Sequence, residues 1–88
     1  MNWTRDEVRA GLVEVLRHHV SEGTEITEQS RLVADLGIDS LAVMEVVADL
    51  EDKFGITIPD EGLREIESVG DVVAAITSKI KQDGRLEG

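Results

Sequence analysis

The sequence contains no cysteine, no tyrosine, and only two aromatic rings apart from histidine, Trp3 and Phe54. The lack of cysteine excludes a disulfide framework and a thiolate metal site. Because aromatic side chains are scarce, the core must be built from Val, Leu and Ile. No apolar run approaches the length of a membrane span and no signal peptide precedes Trp3, so we expect a cytoplasmic protein with no membrane span.

Basic residues are also few, with 9 Lys and Arg against 19 Asp and Glu, a net charge of −10. This balance excludes nucleic acid as a partner, because a phosphate backbone requires a basic binding surface. The charge is concentrated in residues 35–71, which hold eleven acids and two bases, or −9. Such a segment is either a solubilising surface or a field that steers basic partners, and both interpretations stay open here.

At 88 residues the chain has room for one domain with one modest core, which we assign to residues 1–88. The spacing of apolar residues predicts helices over approximately residues 4–20, 40–54, 61–66 and 69–81, with no strand and a frayed tail over 82–88. The connection 21–38 is long enough to suggest a functional loop. Its apolar residues, expected to pack onto the core, are Ile26, Leu32, Val33, Leu36 and Ile38.

The predicted second helix has two apolar sides. One arc of about 100° is wide enough to be the core face, and it contains Val43, Val46, Val47, Leu50 and Phe54. The opposite side carries Leu41, Met44 and Ala48 among the acids Glu45 and Asp52. A domain with one core cannot bury both sides, so we expect this second side to be exposed and to meet partners. The alternative is that another helix covers it.

The heptad from Asp35 to Leu41 reads Asp-Leu-Gly-Ile-Asp-Ser-Leu and precedes the second helix. The segment from Phe54 to Asp60, Phe-Gly-Ile-Thr-Ile-Pro-Asp, follows it. Together they closely resemble the acyl carrier proteins of fatty-acid and polyketide synthesis, and the similarity extends from the first helix to Ile80. The resemblance implies an all-α fold, a small four-helix bundle of three longer helices and one short helix. It also implies a non-catalytic carrier.

The resemblance implies that Ser40 receives a covalent 4′-phosphopantetheine, derived from coenzyme A, which carries the acyl group as a thioester. At the start of a helix, Ser40 lies where backbone N–H groups and the helix dipole favour a phosphate. Gly37 permits the turn into the helix. Asp39 is a plausible N-cap before the serine, and Leu41 follows the serine directly. An acid next to the serine also suits a transferase that brings coenzyme A and Mg²⁺. The chain itself is expected to hold no metal.

The implied partners are a phosphopantetheinyl transferase and acyl-handling enzymes such as ketosynthases, acyltransferases and acyl-activating ligases, which meet a monomeric carrier. The predicted docking surface has an apolar centre of Leu41, Met44 and Ala48. Its predicted acidic rim consists of Glu45, Asp49, Glu51 and Asp52. The acyl chain is expected to shelter between the second and third helices. The candidate lining is Val46, Val47, Leu50, Leu63 and Ile66.

The sequence disfavours some other functions and leaves others open. An enzyme is disfavoured because the sequence has no cysteine, no catalytically spaced histidines, no glycine-rich phosphate loop and no G-x-S-x-G motif. A calcium loop is disfavoured because Asp35 and Asp39 do not match its ligand spacing. A peptidyl or aminoacyl carrier and an acidic helical adaptor without a prosthetic group stay open. The pathway and the cargo also stay open, although the few acids near Ala42, Met44 and Ala48 favour a specialised pathway.

Overall fold

The computed structural model describes residues 3–87 and contains four helices and a small parallel sheet that pairs the segment before the first helix with the segment after the last. Helix α1 spans Arg5–Arg17, α2 spans Ser40–Phe54, α3 spans Asp60–Arg64 and α4 spans Val69–Gln82. The two-residue strands β1 and β2 are Trp3–Thr4 and Leu86–Glu87. Three long helices and one short one confirm the predicted fold class. Within residues 3–87, no helix has both the length and the apolar character needed to cross a bilayer.

The helix ends follow the capping chemistry written in the sequence. In α1, the Thr4 hydroxyl accepts from the Glu7 N–H at 3.1 Å, and the Glu7 carboxylate accepts from the Thr4 N–H at 3.0 Å. In α4, Ser68 and Asp71 form the same reciprocal pair. Gly55 ends α2 in the left-handed region, with φ of 64°. Each device satisfies backbone groups that a helix terminus otherwise leaves without partners.

The core is aliphatic, as the composition predicts, with Phe54 as its single buried aromatic side chain among the described residues. The edge of one ring meets the face of the other where Trp3 packs on Phe54, with centroids 4.8 Å apart. Because α1, α2 and α4 and the segments between them all contribute, the core holds the bundle together as one unit. Its fully buried members are Val8, Leu12, Leu16, Ile38, Val46, Leu50, Phe54, Val69, Val72, Val73, Ile76 and Ile80.

The structure differs from the sequence expectations at both ends of the chain. Strand β2 lies in the tail that was expected to fray, and it pairs with β1 in the register Trp3 to Leu86. The Trp3 N–H donates to the Arg85 carbonyl at 2.7 Å, and the Arg85 guanidinium donates to the Gly55 carbonyl at 3.1 Å. Two-residue strands are too short to produce an alternating pattern, so they could not be predicted from the sequence. Gly88, the last residue of that predicted tail, lies outside the described residues.

Two helices are also shorter than predicted. Helix α1 ends at Arg17 rather than residue 20, because the His18 N–H turns back to the Val15 carbonyl, three residues earlier. The Arg17 guanidinium also donates to the Thr24 carbonyl, which holds the chain as it turns away from the helix. Helix α3 starts at Asp60 and ends before Ile66.

The connection 21–38 is fixed to the segment that joins α3 to α4. The Leu32 N–H donates to the Glu67 carbonyl at 3.0 Å, and the Val69 N–H donates to the Ser30 carbonyl at 2.9 Å. Leu32, Leu36 and Ile38 are buried and Ile26 is half-buried, as expected. Val33 is the exception, because next to the buried Leu32 it faces outward and is 61% exposed. These contacts hold the residues that lead into α2 in a defined position.

Candidate functional site

Ser40 is the first residue of α2 and is exposed. The capping role at this terminus belongs to Asp39, whose carboxylate accepts from the Ala42 N–H at 2.8 Å. The Asp39 carbonyl accepts from the Val43 N–H at 2.9 Å, which begins the helical ladder. Because Asp39 caps the helix, the Ser40 hydroxyl is not needed for capping and can face a reagent. This differs from Ser68, whose hydroxyl accepts from the Asp71 N–H.

The turn before Ser40 requires glycine at position 37. Gly37 has φ of 69°, a backbone region that L side chains rarely adopt. A Cβ added there would meet nothing within 4 Å, so the backbone conformation and not crowding accounts for the glycine. The Gly37 N–H donates to the Val33 carbonyl at 3.2 Å, and the Ile38 N–H donates to the Leu32 carbonyl at 2.9 Å. The turn is therefore closed by its own backbone and delivers Ser40 to the surface.

A phosphodiester on the Ser40 oxygen fits this position. The hydroxyl lies at a helix N-terminus, where the first-turn N–H groups and the helix dipole favour negative charge. The two acids that precede Ser40 in the sequence both accept hydrogen bonds from nearby backbone N–H groups. The Asp39 carboxylate accepts from the Ala42 N–H, and the Asp35 carboxylate accepts from the Arg31 N–H at 2.7 Å. Both carboxylates therefore have donors of their own beside the serine.

A cavity of about 390 Å³ lies beside Ser40, within the size range of small-molecule pockets. Leu63 and Ile66, two of the residues predicted to line an acyl pocket, do line it. The α2 residues that were predicted to line an acyl pocket do not line this cavity, because Val46, Val47 and Leu50 are buried in the core. Their part in sheltering an acyl chain stays a prediction. The full lining is Arg31, Leu32, Val33, Ala34, Ser40, Val43, Met44, Leu63, Ile66 and Glu67.

Val43 and Met44 are the α2 residues that reach the cavity. Val43 was expected in the core, but it is only half-buried. It lies one turn before Val46 and Val47, packs against the edge of the core and lines the cavity. Since α3 has no buried residue, the wall that it contributes is sparsely packed. An aliphatic cavity with one such wall can admit an apolar chain with little loss of packing.

The second apolar side of α2 is exposed, as the helical rotation predicts. Leu41 is 72% exposed and Met44 is 55% exposed, and Ala48 is exposed between the acids Glu45 and Asp52. No helix among residues 3–87 covers this side, so the alternative of a covering helix is wrong. Large apolar side chains grouped with carboxylates are typical of a partner surface.

The structure separates two of the predicted rim acids from this surface. Glu51 is half-buried, and its carboxylate accepts from the Ile58 N–H at 2.8 Å, so it holds the segment after α2 in place. Asp49 lies on the α1 side of the helix, where its carboxylate is 3.7 Å from the His19 imidazole. Its side chain is still 61% exposed, so it can contribute to the local field. Among the described residues, no cluster of three or more acids, histidines or cysteines is arranged to hold a metal.

Three residues at the site were not predicted to belong to it. Val33 joins Leu41 and Met44 as an exposed large apolar residue, and Arg31 and Glu67 form an ion pair at the cavity with 3.6 Å between Nε and Oε1. Val33 stands in a run of loop residues where periodicity gives no sign of which side chains face inward. Arg31 and Glu67 are far apart in sequence, and only the antiparallel bridge between Arg31 and Ser68 brings them together.

A comparison with protein families finds that residues 6–76 match the family described as "Phosphopantetheine attachment site". The matched region contains all but the first residue of α1, the whole of α2 and α3, and part of α4.

Known proteins show the same likeness. The chain is 45% identical over 74 residues to the meromycolate extension acyl carrier protein of Mycolicibacterium smegmatis, covering 83% of this chain and 75% of that protein. It spans 64% of the Mycobacterium tuberculosis protein of the same name. It is 50% identical over 74 residues to an acyl carrier protein of Exiguobacterium, covering 84% and 90%. The solved acyl carrier protein of Enterococcus faecalis superposes with a TM-score of 0.73 at 40% identity, covering 88% and 99%.

Proposed function

Because this chain belongs to the acyl carrier proteins of the phosphopantetheine attachment-site family, we propose that Ser40 is the residue that bears its prosthetic arm. The family establishes a non-catalytic carrier of acyl groups on a phosphopantetheine arm, which confirms the carrier function and the cofactor predicted from the sequence. It also excludes the adaptor without a prosthetic group. The attachment at Ser40, the docking surface and the acyl cavity are proposals beyond that family assignment.

The observation that supports Ser40 most directly is its combination of exposure and position. It is an exposed serine at the N-terminus of a long helix, beside a cavity with an aliphatic wall. When bound, the arm supplies the thiol that forms the acyl thioester, which the cysteine-free chain lacks. The chain itself exposes the Ser40 hydroxyl at the N-terminus of α2, where the helix dipole favours the phosphate. Leu63 and Ile66 line the cavity in which an apolar chain would lie.

The test uses intact mass after incubation with coenzyme A and a promiscuous phosphopantetheinyl transferase. Wild type should gain one phosphopantetheine, and Ser40→Ala should gain none. The matched control is Ser68→Ala, which removes the other helix-start serine and should still gain the adduct. An adduct on Ser40→Ala, or its loss in a folded Ser68→Ala protein, would contradict the assignment.

The partner surface that we propose has Leu41, Met44 and Val33 at its centre, with Glu45 and Asp52 beside them. Membership of the family implies contacts with acyl-handling enzymes. The specific partners that we propose are the transferase, ketosynthases, acyltransferases and acyl-activating ligases. Such contacts are brief because a carrier must leave each enzyme, so a small apolar centre suits them better than a large interface. The monomeric state and the cytoplasmic location stay predictions.

We further propose that the cargo is a fatty-acyl chain. Curated relatives include acyl carrier proteins and meromycolate extension acyl carrier proteins, and the cavity beside Ser40 has Val43, Met44, Leu63 and Ile66 in its wall. A peptidyl carrier is less well supported, because Gly37-Ile38-Asp39 precedes the serine where peptidyl carriers usually have paired glycines. Polyketide-type synthesis remains an alternative pathway. Mass spectrometry of the acyl groups on the carrier from its native host would decide between these cargoes.

A further inference from the structure

The attachment of a phosphodiester to Ser40 raises an electrostatic question. The modification adds a negative charge to the stretch 35–71, which already carries −9. Asp35 and Asp39 precede the serine in the sequence, and the donors to their carboxylates are backbone N–H groups rather than cations. A positive side chain near Ser40 would offset the added charge.

Among the described residues that line the cavity with Ser40, Arg31 is the only cation. Its side chain is 61% exposed, and its Nε lies 3.6 Å from an oxygen of Glu67, which lines the same cavity and is 70% exposed. An ion pair this exposed is weak, because solvent screens it and both side chains lose freedom when they pair. The guanidinium of Arg31 can therefore change partners at little cost.

The backbone of Arg31 is firmly held even though its side chain is exposed. Its N–H donates to the Asp35 carboxylate at 2.7 Å, and its carbonyl accepts from the N–H groups of Asp35 and Leu36 at 3.0 Å each. It also forms an antiparallel bridge with Ser68. The base of the side chain is thus fixed beside the cavity, while the exposed guanidinium is held only by the long contact to Glu67.

We propose that Arg31 binds the phosphodiester of the arm on Ser40, and that modification moves its guanidinium from Glu67 to the phosphate. The inference rests on the proposed attachment at Ser40. A guanidinium meets a phosphate through two parallel charge-assisted hydrogen bonds, which are stronger than a single long contact to an exposed carboxylate. No covalent step is involved beyond the attachment itself. The exchange holds the first atoms of the arm at the cavity mouth, so that the rest of the arm starts beside Leu63 and Ile66.

The test compares the full chain before and after modification by NMR, with intact mass confirming the adduct first. In wild type, the Arg31 Nε–Hε resonance should shift on modification, while that of Arg9 should not. Arg9 is a matched control, because it forms an exposed surface pair with Glu28, 3.9 Å apart, and does not line this cavity. The ³¹P resonance of the modified protein should move in Arg31→Gln and stay in place in Arg9→Gln. Arg31→Lys should restore part of the wild-type position, and the difference should shrink at about 1 M salt.

The outcomes separate this inference from the assignment of Ser40. If wild type gains the adduct on Ser40 but its Arg31 resonance is unchanged, the phosphate contact is wrong and the attachment site stands. The same holds if the ³¹P resonance of Arg31→Gln coincides with that of wild type. If Ser40→Ala still gains the adduct, both proposals are overturned. The wild-type comparison requires no substitution, so it decides the matter even where a variant folds poorly.

Discussion

Replacing Met44 and Leu50 by alanine separates the two sides of α2. Leu50 is fully buried, so Leu50→Ala should lower the free energy of unfolding by about 2–5 kcal/mol, the usual cost of a core cavity. Met44 is 55% exposed, so less than half of its side chain leaves water on folding. Complete burial of such a side chain contributes about 1.5–3 kcal/mol, and Met44→Ala should therefore cost about 1 kcal/mol. Thermal or urea unfolding of both variants measures the difference.

The same pair should behave in the opposite way toward the transferase. If Met44 is at the centre of the docking surface, Met44→Ala should slow phosphopantetheine transfer about fivefold or more, the effect of losing at least 1 kcal/mol at a hot spot. Leu50→Ala should leave the rate near the wild-type value at temperatures where it stays folded. The assay is the initial rate of adduct formation at low carrier concentration. If Met44→Ala unfolds the protein as strongly as Leu50→Ala, Met44 is a core residue and the two-sided description of α2 is wrong.

The proposed acidic rim should make the rate of phosphopantetheine transfer depend on salt concentration. Glu45 is exposed next to Leu41 and Met44, so Glu45→Lys should lower the transfer rate most at low ionic strength, where the Debye length is long. Glu25→Lys is the matched control, because it makes the same charge change at an exposed position in the connection 21–38. Equal effects of both reversals across the salt series would show that only net charge matters and that Glu45 has no local role.

Two further predictions concern the cavity and helix α4. When an octanoyl chain is loaded on the modified carrier, the NMR shift changes should extend from Ser40 to Leu63 and Ile66. Ile66→Ala should alter that pattern. Shift changes confined to the residues around Ser40 would show that the acyl chain stays outside the cavity. The Asp71 carboxylate accepts from the Ser68 and Glu67 N–H groups, which lowers its pKa below the ordinary 3.8. Asp71 therefore stabilises the fold above that value and loses this effect as the pH falls through its lowered pKa. Asp71→Asn should therefore reduce the melting temperature at pH 7, and this reduction should shrink progressively as the pH falls below 3.8. A reduction that stayed equal from pH 7 to the acid end of the series would refute the linkage.

The helices could be predicted from the sequence because the signals that mark their ends and their buried sides are local. The capping pair of Thr4 and Glu7 marks the start of α1. Asp39 lies immediately before α2 and Gly55 lies immediately after it. Apolar spacing within α2 also separated the buried Leu50 from the exposed Met44. Each of these features depends on residues within about one helical turn, which is the range over which a sequence can be interpreted alone.

The cavity could not be predicted in the same way, because it is formed by segments that are distant in sequence. Its walls come from the connection 21–38, from the start of α2 and from the region around α3. Rotation about the α2 axis identified the inward side but did not show which part of it faces α3 and which faces α1. The predicted lining therefore included Val46 and Leu50, whereas the α2 residues that line this cavity are Val43 and Met44.

The placement of Met44 links the two proposed functions of α2. Met44 is 55% exposed on the proposed docking surface, and it also lines the cavity beside Ser40. A partner that packs on Met44 therefore contacts the wall of the compartment in which an acyl chain would lie. Because a methionine side chain is flexible and unbranched, it can change rotamer with little loss of packing. Docking at Met44 can thus favour the state in which the chain leaves the cavity, provided that the partner binds that state more tightly than the closed one. The carrier would then release its cargo at an enzyme and retain it in solution, with one side chain connecting the two events.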